Sequence, residues 1–262
     1  REELYAMLFD GSGDASKIDS VPTLSSKREN VWEKILILGN PNNPTGRAIS
    51  ATEMERLAEV CRETHTWLML DECFQWFLDT RRECSFVGNL LNGVGDHVIL
   101  LNALTKICSM AGLRLGYGII PNAGLRERLE KFRQPWSVSA PAQAGGVAAF
   151  AVLADHSEGN LLEWTVKSLQ TERPRLAEKL EELGFIVYPS QTNYLLFRSP
   201  DEDSRDYKQG CLEHGILIRA CENFEGLNRH YYRVAVRNRG ENERLINILK
   251  EVQSEEKHNV NL

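Results

Sequence analysis

The sequence lacks an excess of basic residues: its 262 residues include 31 lysines and arginines against 37 aspartates and glutamates, a net charge of −6. Non-specific binding to nucleic acid depends on lysines and arginines that neutralise phosphates. The composition therefore argues against a nucleic-acid partner, although individual arginines can still bind a small anion.

The sequence also lacks paired cysteines, ligand-spaced histidines and long apolar runs. Its six cysteines include no Cys-x-x-Cys pair, which fits free thiols in a reducing cytoplasm better than disulfides or a zinc site. The six histidines are scattered, which argues against a metal centre. No apolar run reaches the length of a membrane span. These absences predict a cytoplasmic protein with no metal and no membrane partner.

Three well-known fingerprints are absent as well. The sequence contains no Gly-x-x-x-x-Gly-Lys-Ser/Thr loop, no Gly-x-Gly-x-x-Gly string and no Gly-x-Ser-x-Gly elbow. Their absence argues against a P-loop nucleotide site, a Rossmann dinucleotide site and a serine hydrolase nucleophile.

Apolar strands alternate with amphipathic helices in the first part of the chain. Ser50 and Glu53 predict a capping box at the start of one helix, whose apolar residues recur at helical spacing from Met54 to Cys61. The same kind of pattern predicts strands at 34–39, 67–71, 97–101 and 116–120. It predicts further helices near 122–132, 140–154 and 159–183. This alternation predicts an α/β fold with a mostly parallel sheet and helices on both faces.

The pattern changes after Gly184, where short strands become frequent. Strands are predicted at 185–188, 194–197, 215–219 and 232–236, and helices near 203–213 and 241–254. We therefore predict a large domain over residues 1–159 and a smaller C-terminal α+β domain over residues 160–262. Residues 10–30 are polar and turn-rich and the first residue is not methionine, so we expect the large domain to be incomplete at its N-terminus.

Three residues with useful chemistry follow three of the predicted strands. Asn43 follows the first strand, Asp71 ends the second and Lys106 follows the third. Ligands of α/β sheets collect at the carboxyl ends of the strands, so these residues are expected to approach one crevice. Taken singly, Asp71 fits a turn or helix-start aspartate, Asn43 fits a Pro/Gly turn and Lys106 fits a surface lysine.

Four strings around these residues resemble, in order and spacing, the class I and II aminotransferases, which are fold-type I enzymes that use pyridoxal 5'-phosphate (PLP). The resemblance extends over most of the chain and implies a PLP-binding large domain. It also implies a homodimer with active sites at the subunit interface. The strings are Asn40-Pro41-Asn42-Asn43-Pro44-Thr45-Gly46, Asp71-Glu72, Thr105-Lys106 and Gly112-Leu113-Arg114.

This resemblance implies a role for each residue. Lys106 forms a Schiff base with PLP, and Asp71 keeps the ring nitrogen of PLP protonated by pairing of opposite charges. Asn43 donates a hydrogen bond to the phenolic oxygen of PLP. Arg114 holds the phosphate through paired hydrogen bonds, and Thr105 belongs to the same cofactor-binding set.

Two arginines of the small domain match anion-binding residues of the histidinol-phosphate aminotransferase branch. The match implies that Arg233 binds the substrate carboxylate, Arg219 binds the substrate phosphate, and Asn43 lies beside the substrate. The alternative interpretation is that these arginines only form a basic, solvent-exposed edge of the domain, because Arg237 and Arg239 follow closely.

The finer resemblance is to the threonine-phosphate decarboxylases of cobalamin biosynthesis, and it is most distinctive from Ile216 to Arg219, through Tyr231 to Ala235, and on to Asn242–Leu245. We therefore predict decarboxylation of a phosphorylated amino acid, L-threonine O-3-phosphate. An aminotransferase such as histidinol-phosphate aminotransferase is the alternative, and a truncated or catalytically silent PLP-fold protein is the second. The placement of the arginines decides between the reactions, and the sequence does not specify it.

The sequence departs from the family pattern at two positions and in the segment that precedes the matched strings. Phe74 stands where a tyrosine is usual, and Ala103 stands where many relatives have a hydroxyl residue. The glycine-rich phosphate cup, the stacking aromatic ring and the dimer tyrosine of the relatives cannot be located. We therefore expect the 262-residue chain by itself to bind PLP poorly or not at all.

Overall fold

The structure, a computed structural model, describes residues 34–200 and 202–259, apart from the side chains of Arg82 and of residues 255–259. The turn-rich segment predicted at residues 10–30 lies outside the described residues. The chain divides into two compact units. The first contains the described residues up to Asn42 and then Arg47–Trp76 and Thr80–Val152; the second contains Asn43–Gly46, Phe77–Asp79 and the residues from Leu153 onward. The domain boundary expected between residues 159 and 160 stays a prediction.

A four-stranded sheet organises the first unit. Its strands lie in the order β1-β2-β3-β4, with β1 parallel to β2 and β2 parallel to β3. The predicted α/β fold with a mostly parallel sheet is confirmed. The strands are β1 (Lys34–Gly39), β2 (Thr66–Asp71), β3 (Val98–Ala103) and β4 (Gly116–Ile119).

β4 runs antiparallel to β3, which the alternation of strands and helices does not predict. A parallel neighbour requires a crossover connection, usually a helix. The connection Leu104–Leu115 instead forms a turn and a short 3-10 helix at Ala111–Leu113. The chain therefore turns back at the same edge of the sheet and pairs in the opposite direction.

Helix α1 begins with the predicted capping box. The Ser50 side chain accepts a hydrogen bond from the Glu53 backbone, and the Glu53 carboxylate accepts one from the Ser50 backbone. The apolar stripe of α1, including Met54 and Leu57, is buried in one core with residues of β1, β2 and β3. The helices of this unit are α1 (Ala51–Glu63), α2 (Arg81–Cys84), α3 (Val87–Leu91), α4 (Ala123–Phe132) and α5 (Ala140–Leu153).

The second unit contains a four-stranded sheet with the order β5-β6-β8-β7, in which all neighbours are antiparallel. Rings of Phe185, Phe197, Tyr207 and Tyr232 pack together in its core. Its elements are α6 (Leu161–Glu182), β5 (Ile186–Val187), β6 (Tyr194–Arg198), α7 (Tyr207–Glu213), β7 (Arg219–Ala220), β8 (Tyr231–Ala235) and α8 (Arg239–Asn259).

The strand predicted at residues 215–219 is placed wrongly. Gly215–Ile218 form a turn and an extended segment without strand pairing, and β7 begins only at Arg219. The apolar run misled the prediction because Ile218 is buried in the core although its backbone does not join the sheet.

Two of the sequence predictions concern cysteines and membrane-spanning helices. The six cysteines lie within the described residues and none of them forms a disulfide, as predicted. Among the helices of the described residues, none is both long enough and apolar enough to cross a membrane.

Candidate active site

The carboxyl edge of the parallel strands positions the candidate residues of the first unit. Gly39 is the register partner of Asp71, which in turn is the register partner of Leu101. Two hydrogen bonds extend this alignment past the strand ends, from Asn40 N to Asp71 O (3.0 Å) and from Glu72 N to Leu101 O (2.8 Å). The segments that follow β2 and β3 therefore leave the sheet side by side.

Asp71 ends β2 with an exposed side chain. Its Oδ1 atom accepts a hydrogen bond of 2.9 Å from the backbone of Cys73. This bond closes a local turn and fixes the direction of the carboxylate, because a short acidic side chain readily caps a backbone N–H two residues on.

The next residue, Glu72, is buried and was given no role by the sequence. Its carboxylate accepts hydrogen bonds from the Ser85 hydroxyl (2.8 Å) and the Phe86 backbone (2.7 Å). Removal from water raises the pKa of Glu72 to about 7, although both hydrogen bonds oppose the shift. Glu72 thereby ties the end of β2 to the start of α3.

Lys106 lies on the turn that follows β3, and its side chain is exposed. The Nζ atom lies 4.6 Å from the centroid of the Phe74 ring. The pKa of the neighbouring Cys73 thiol is raised to about 12 by burial first, and then by a hydrogen bond to Asp71 and the charge of Asp71, while the charge of Lys106 lowers it. The Asp71 carboxylate thus binds the backbone of Cys73 and the Lys106 amine lies against the ring of the next residue, Phe74, so both predicted residues contact the turn that follows β2.

Thr105 and Arg114 occupy the two ends of the connection between β3 and β4. Thr105 is half-buried beside Lys106. Arg114 is exposed and follows the 3-10 helix with a left-handed backbone (φ 54°, ψ 49°); its Nη1 atom donates to the carbonyl of Ala111 at 3.0 Å. Leu104 N donates to Leu115 O at 3.3 Å and closes the connection. The exposed guanidinium of Arg114 can bind an anion.

Asn43 and Arg233 belong to the second unit and are hydrogen-bonded to each other. Nη1 of Arg233 donates to Oδ1 of Asn43, and the Arg233 guanidinium lies 5.1 Å from the centroid of the Tyr194 ring. Because the amide oxygen of Asn43 accepts from an arginine, its amide nitrogen is the end that can donate to a ligand. The spacing of Asn43 and Arg233 in the sequence did not predict this hydrogen bond.

Arg219 lies next to Arg233 in the sheet of the second unit. The two residues are register partners on β7 and β8, and Nη2 of Arg219 donates to Oδ1 of Asn223 at 2.9 Å. Burial raises the pKa of the nearby Cys221 thiol, while the charges of both arginines lower it. The two arginines therefore occupy paired positions on adjacent strands.

Among the described residues, no group of three or more histidine, cysteine, aspartate and glutamate side chains could hold a metal ion. The candidate residues of the first unit instead offer an amine, a carboxylate and a guanidinium, and those of the second unit offer an amide and two guanidiniums. Such groups suit an organic anion with a carbonyl or aldehyde better than a metal.

A family model and two known proteins match most of this chain. A model of the family described as aminotransferase class I and II matches residues 16–249. Threonine-phosphate decarboxylase of Salmonella typhimurium is 35% identical over 218 residues, which cover 83% of this chain and 57% of that protein. Histidinol-phosphate aminotransferase of Methanosphaera stadtmanae is 29% identical over 222 residues, which cover 84% and 56%.

A solved structure shows the same fold. Histidinol-phosphate aminotransferase from Clostridium acetobutylicum matches with a TM-score of 0.75 and 29% sequence identity, covering 85% of this chain and 64% of that one. The chain spans little more than half the length of the curated relatives that it matches.

Proposed function

Because the chain belongs to the aminotransferase class I and II family, we propose that it carries the PLP site of an enzyme that acts on a phosphorylated amino acid. The family indicates PLP as the cofactor. The observation that carries the proposal is that the Asp71 carboxylate and the Lys106 amine both contact the turn after β2, at Cys73 and at Phe74, at the carboxyl edge of β2 and β3.

The residues of the first unit fit the functional groups of PLP. The amine of Lys106 suits the aldehyde, and the carboxylate of Asp71 suits a protonated ring nitrogen. The guanidinium of Arg114 and the hydroxyl of Thr105 suit the phosphate. When bound, PLP accepts the electrons that a broken bond leaves on the substrate.

The protein groups then have separate tasks. The Lys106 amine would hold the aldehyde of PLP, and the free amine could carry a proton to or from the substrate. The negative charge of Asp71 would favour a proton on the ring nitrogen. Asn43, whose oxygen accepts from Arg233, would have its amide nitrogen left to donate to the phenolic oxygen of the cofactor.

The arginine pair supports a substrate with two anionic groups. The family resemblance assigns the carboxylate to Arg233, which is joined to Asn43, and the phosphate to Arg219 on the adjacent strand. A phosphorylated amino acid has both groups, whereas an unmodified amino acid leaves one guanidinium without an anion.

We favour L-threonine O-3-phosphate as the substrate and its decarboxylation as the reaction. The support is the 35% identity to a threonine-phosphate decarboxylase. Histidinol-phosphate aminotransferase is the second candidate, favoured by the sequence and structural matches at 29% identity. The two reactions differ in which bond at the substrate α-carbon is held for cleavage, the bond to the carboxylate or the bond to hydrogen.

Product analysis separates the two candidates. The protein, with excess PLP, is incubated with L-threonine O-3-phosphate, and in parallel with histidinol phosphate plus 2-oxoglutarate. Release of carbon dioxide from the first supports the decarboxylase; glutamate formation in the second, without carbon dioxide in the first, supports the aminotransferase.

Matched lysine variants test the site in the same assays. Lys106→Ala is expected to abolish either reaction. Lys131→Ala, which removes an exposed lysine of α4, is expected to leave it unchanged. Turnover that survives Lys106→Ala undiminished would remove the proposal.

A further inference from the structure

Gly46 stands at a point where the second unit leaves no room for a side chain. It is buried and belongs to the short segment Asn43–Gly46 of that unit. A Cβ atom added to Gly46 would lie 2.8 Å from Cβ of Ser190 and 2.8 Å from Oγ1 of Thr192, and closer still to the Ser190 hydroxyl. The φ of Gly46 is 73°, in the left-handed region that glycine adopts most readily. Both the close approach and the backbone therefore favour glycine at this position.

The turn Ser190–Thr192, which we call the seat turn, is hydrogen-bonded to Gly46 and braced from behind. The backbone N–H of Gln191 donates to the Gly46 carbonyl at 2.8 Å. The two hydroxyls of the seat turn lie 3.0 Å apart. Thr192 is fully buried, and its carbonyl accepts a hydrogen bond of 3.0 Å from Nη1 of Arg173 in α6. The seat turn therefore has a defined position against which Gly46 fits.

The two segments that meet at Gly46 are also the segments that contact the Arg233 guanidinium. Asn43 begins the segment that Gly46 ends, and its Oδ1 atom accepts from Nη1 of Arg233. The seat turn leads into β6, whose first residue is Tyr194, and the centroid of the Tyr194 ring lies 5.1 Å from the Arg233 guanidinium. The fit at Gly46 therefore joins the segment that binds Arg233 to the strand that packs against it.

We propose that Gly46 is a positioning residue for Asn43, because its fit against the seat turn sets the place at which the Asn43 side chain meets Arg233. A side chain at position 46 would push the segment away from the seat turn. Asn43 is only three residues away and would move with it, so its hydrogen bond to Arg233 would be lost. The inference rests on the proposed function, which gives Asn43 a role at the cofactor and Arg233 a role at the substrate carboxylate.

Amide hydrogen exchange, measured by NMR on the protein without cofactor, tests the fit. The N–H of Gln191 is expected to exchange about 10-fold faster or more in Gly46→Ala, because its hydrogen bond to the Gly46 carbonyl opens. Gly159→Ala is the matched control and should leave this exchange unchanged: Gly159 has the same φ of 73°, but a Cβ added there would meet nothing within 4 Å. Adding Ser190→Gly to Gly46→Ala removes the two nearest atoms and should restore part of the protection.

A double-mutant cycle tests the position of Asn43. Asn43→Ala, Arg233→Gln and the combined variant give the coupling between the two side chains from the free energies of unfolding in urea. A coupling is expected in the unaltered protein and in Gly159→Ala, and it should be lost in Gly46→Ala. Damage at Gly46 that is only structural would lower the stability of all four proteins of the cycle equally and would leave the coupling unchanged.

Two results would overturn the proposal: exchange at Gln191 that is the same in Gly46→Ala as in Gly159→Ala, or a coupling between Asn43 and Arg233 that is absent from the unaltered protein or persists in Gly46→Ala. If Gly46→Ala does not fold, recovery of folding on addition of Ser190→Gly supports the proposal, and the lack of recovery overturns it. Neither measurement involves PLP or a substrate, so both fail or succeed independently of the proposed function, which the product analysis tests.

Discussion

Asp71 and Glu72 are neighbours in the chain with opposite environments. Successive side chains of an extended strand point to opposite faces, and here one carboxylate is exposed while the next is buried. The sequence predicted the role of Asp71 from its place between the other strings. It could not predict the role of Glu72, because Ser85 and Phe86 are 13 and 14 residues away in sequence and meet it only in the folded chain.

The buried Glu72 should make the stability of the protein depend on pH. Its pKa is raised from 4.5 to about 7, so the folded state binds the proton more tightly than the unfolded state. The contribution of Glu72 to stability is therefore greatest below about pH 4.5 and is lost as the pH rises through about 7, a loss of roughly 3 kcal/mol.

Glu72→Gln should remove that loss, because the amide cannot ionise and its oxygen can still accept from the Phe86 backbone. The free energy of unfolding, measured with urea from about pH 5 to about pH 8, should then fall less with pH than in the unaltered protein. Glu55→Gln, on the exposed face of α1, is the matched control. Identical pH profiles of the Glu72→Gln and unaltered proteins would argue against a titrating Glu72.

The charge of Asp71 can be tested separately from its size. Asp71→Asn keeps the hydrogen bond from Cys73 but removes the negative charge, and kcat is expected to fall about 100-fold or more because an electrostatic contact to the reacting group is lost. Asp71→Glu should recover part of the activity. Asp96→Asn, at the opposite edge of the sheet from Asp71, should change little. An active Asp71→Asn variant would exclude the proposed pairing with the ring nitrogen.

Helix α1 illustrates what local sequence can predict about an element. The capping box requires only a serine, a glutamate and a spacing of three residues, so it was visible before the fold was known. The strand before Arg219 shows the opposite case. An apolar run predicts burial, but strand pairing depends on partners elsewhere in the chain, and Arg219–Ala220 alone pair with β8.

Removal of the cap should weaken α1 and the core beneath it. Ser50→Ala loses the oxygen that accepts from the Glu53 backbone, and the free energy of unfolding is expected to fall by about 1 kcal/mol. Ser50→Thr keeps a hydroxyl at this position and should cost less. Thr52→Ala changes an exposed residue of the same helix and serves as the control. A Ser50→Ala protein as stable as the control would show that the box adds nothing.

The second unit brings together Asn43 and Arg233, which are 190 residues apart in sequence. Each residue was identified by the sequence motif that contains it. Their hydrogen bond could not be predicted, because a local sequence pattern carries no information about contacts between such distant segments. The strings of the first unit were easier to interpret, because parallel neighbouring strands place their carboxyl ends at one edge.

Preference for a doubly anionic substrate is a property of the two arginines together. Arg219→Gln should lower kcat/KM for L-threonine O-3-phosphate by about 10-fold or more, because a charged hydrogen bond to the phosphate is lost. It should have little effect on L-threonine. Arg237→Gln, an exposed arginine beyond β8, is the control. Equal losses for both substrates would place the phosphate elsewhere.

Reductive trapping tests the central claim, that Lys106 carries the cofactor, most directly. The protein is incubated with excess PLP, reduced with borohydride and digested, and mass spectrometry locates the pyridoxyl group. The account predicts that this group lies on Lys106, that it appears there well before it appears on Lys131, and that Lys106→Ala loses it. Label spread evenly over the surface lysines, or undiminished label in Lys106→Ala, would contradict the account.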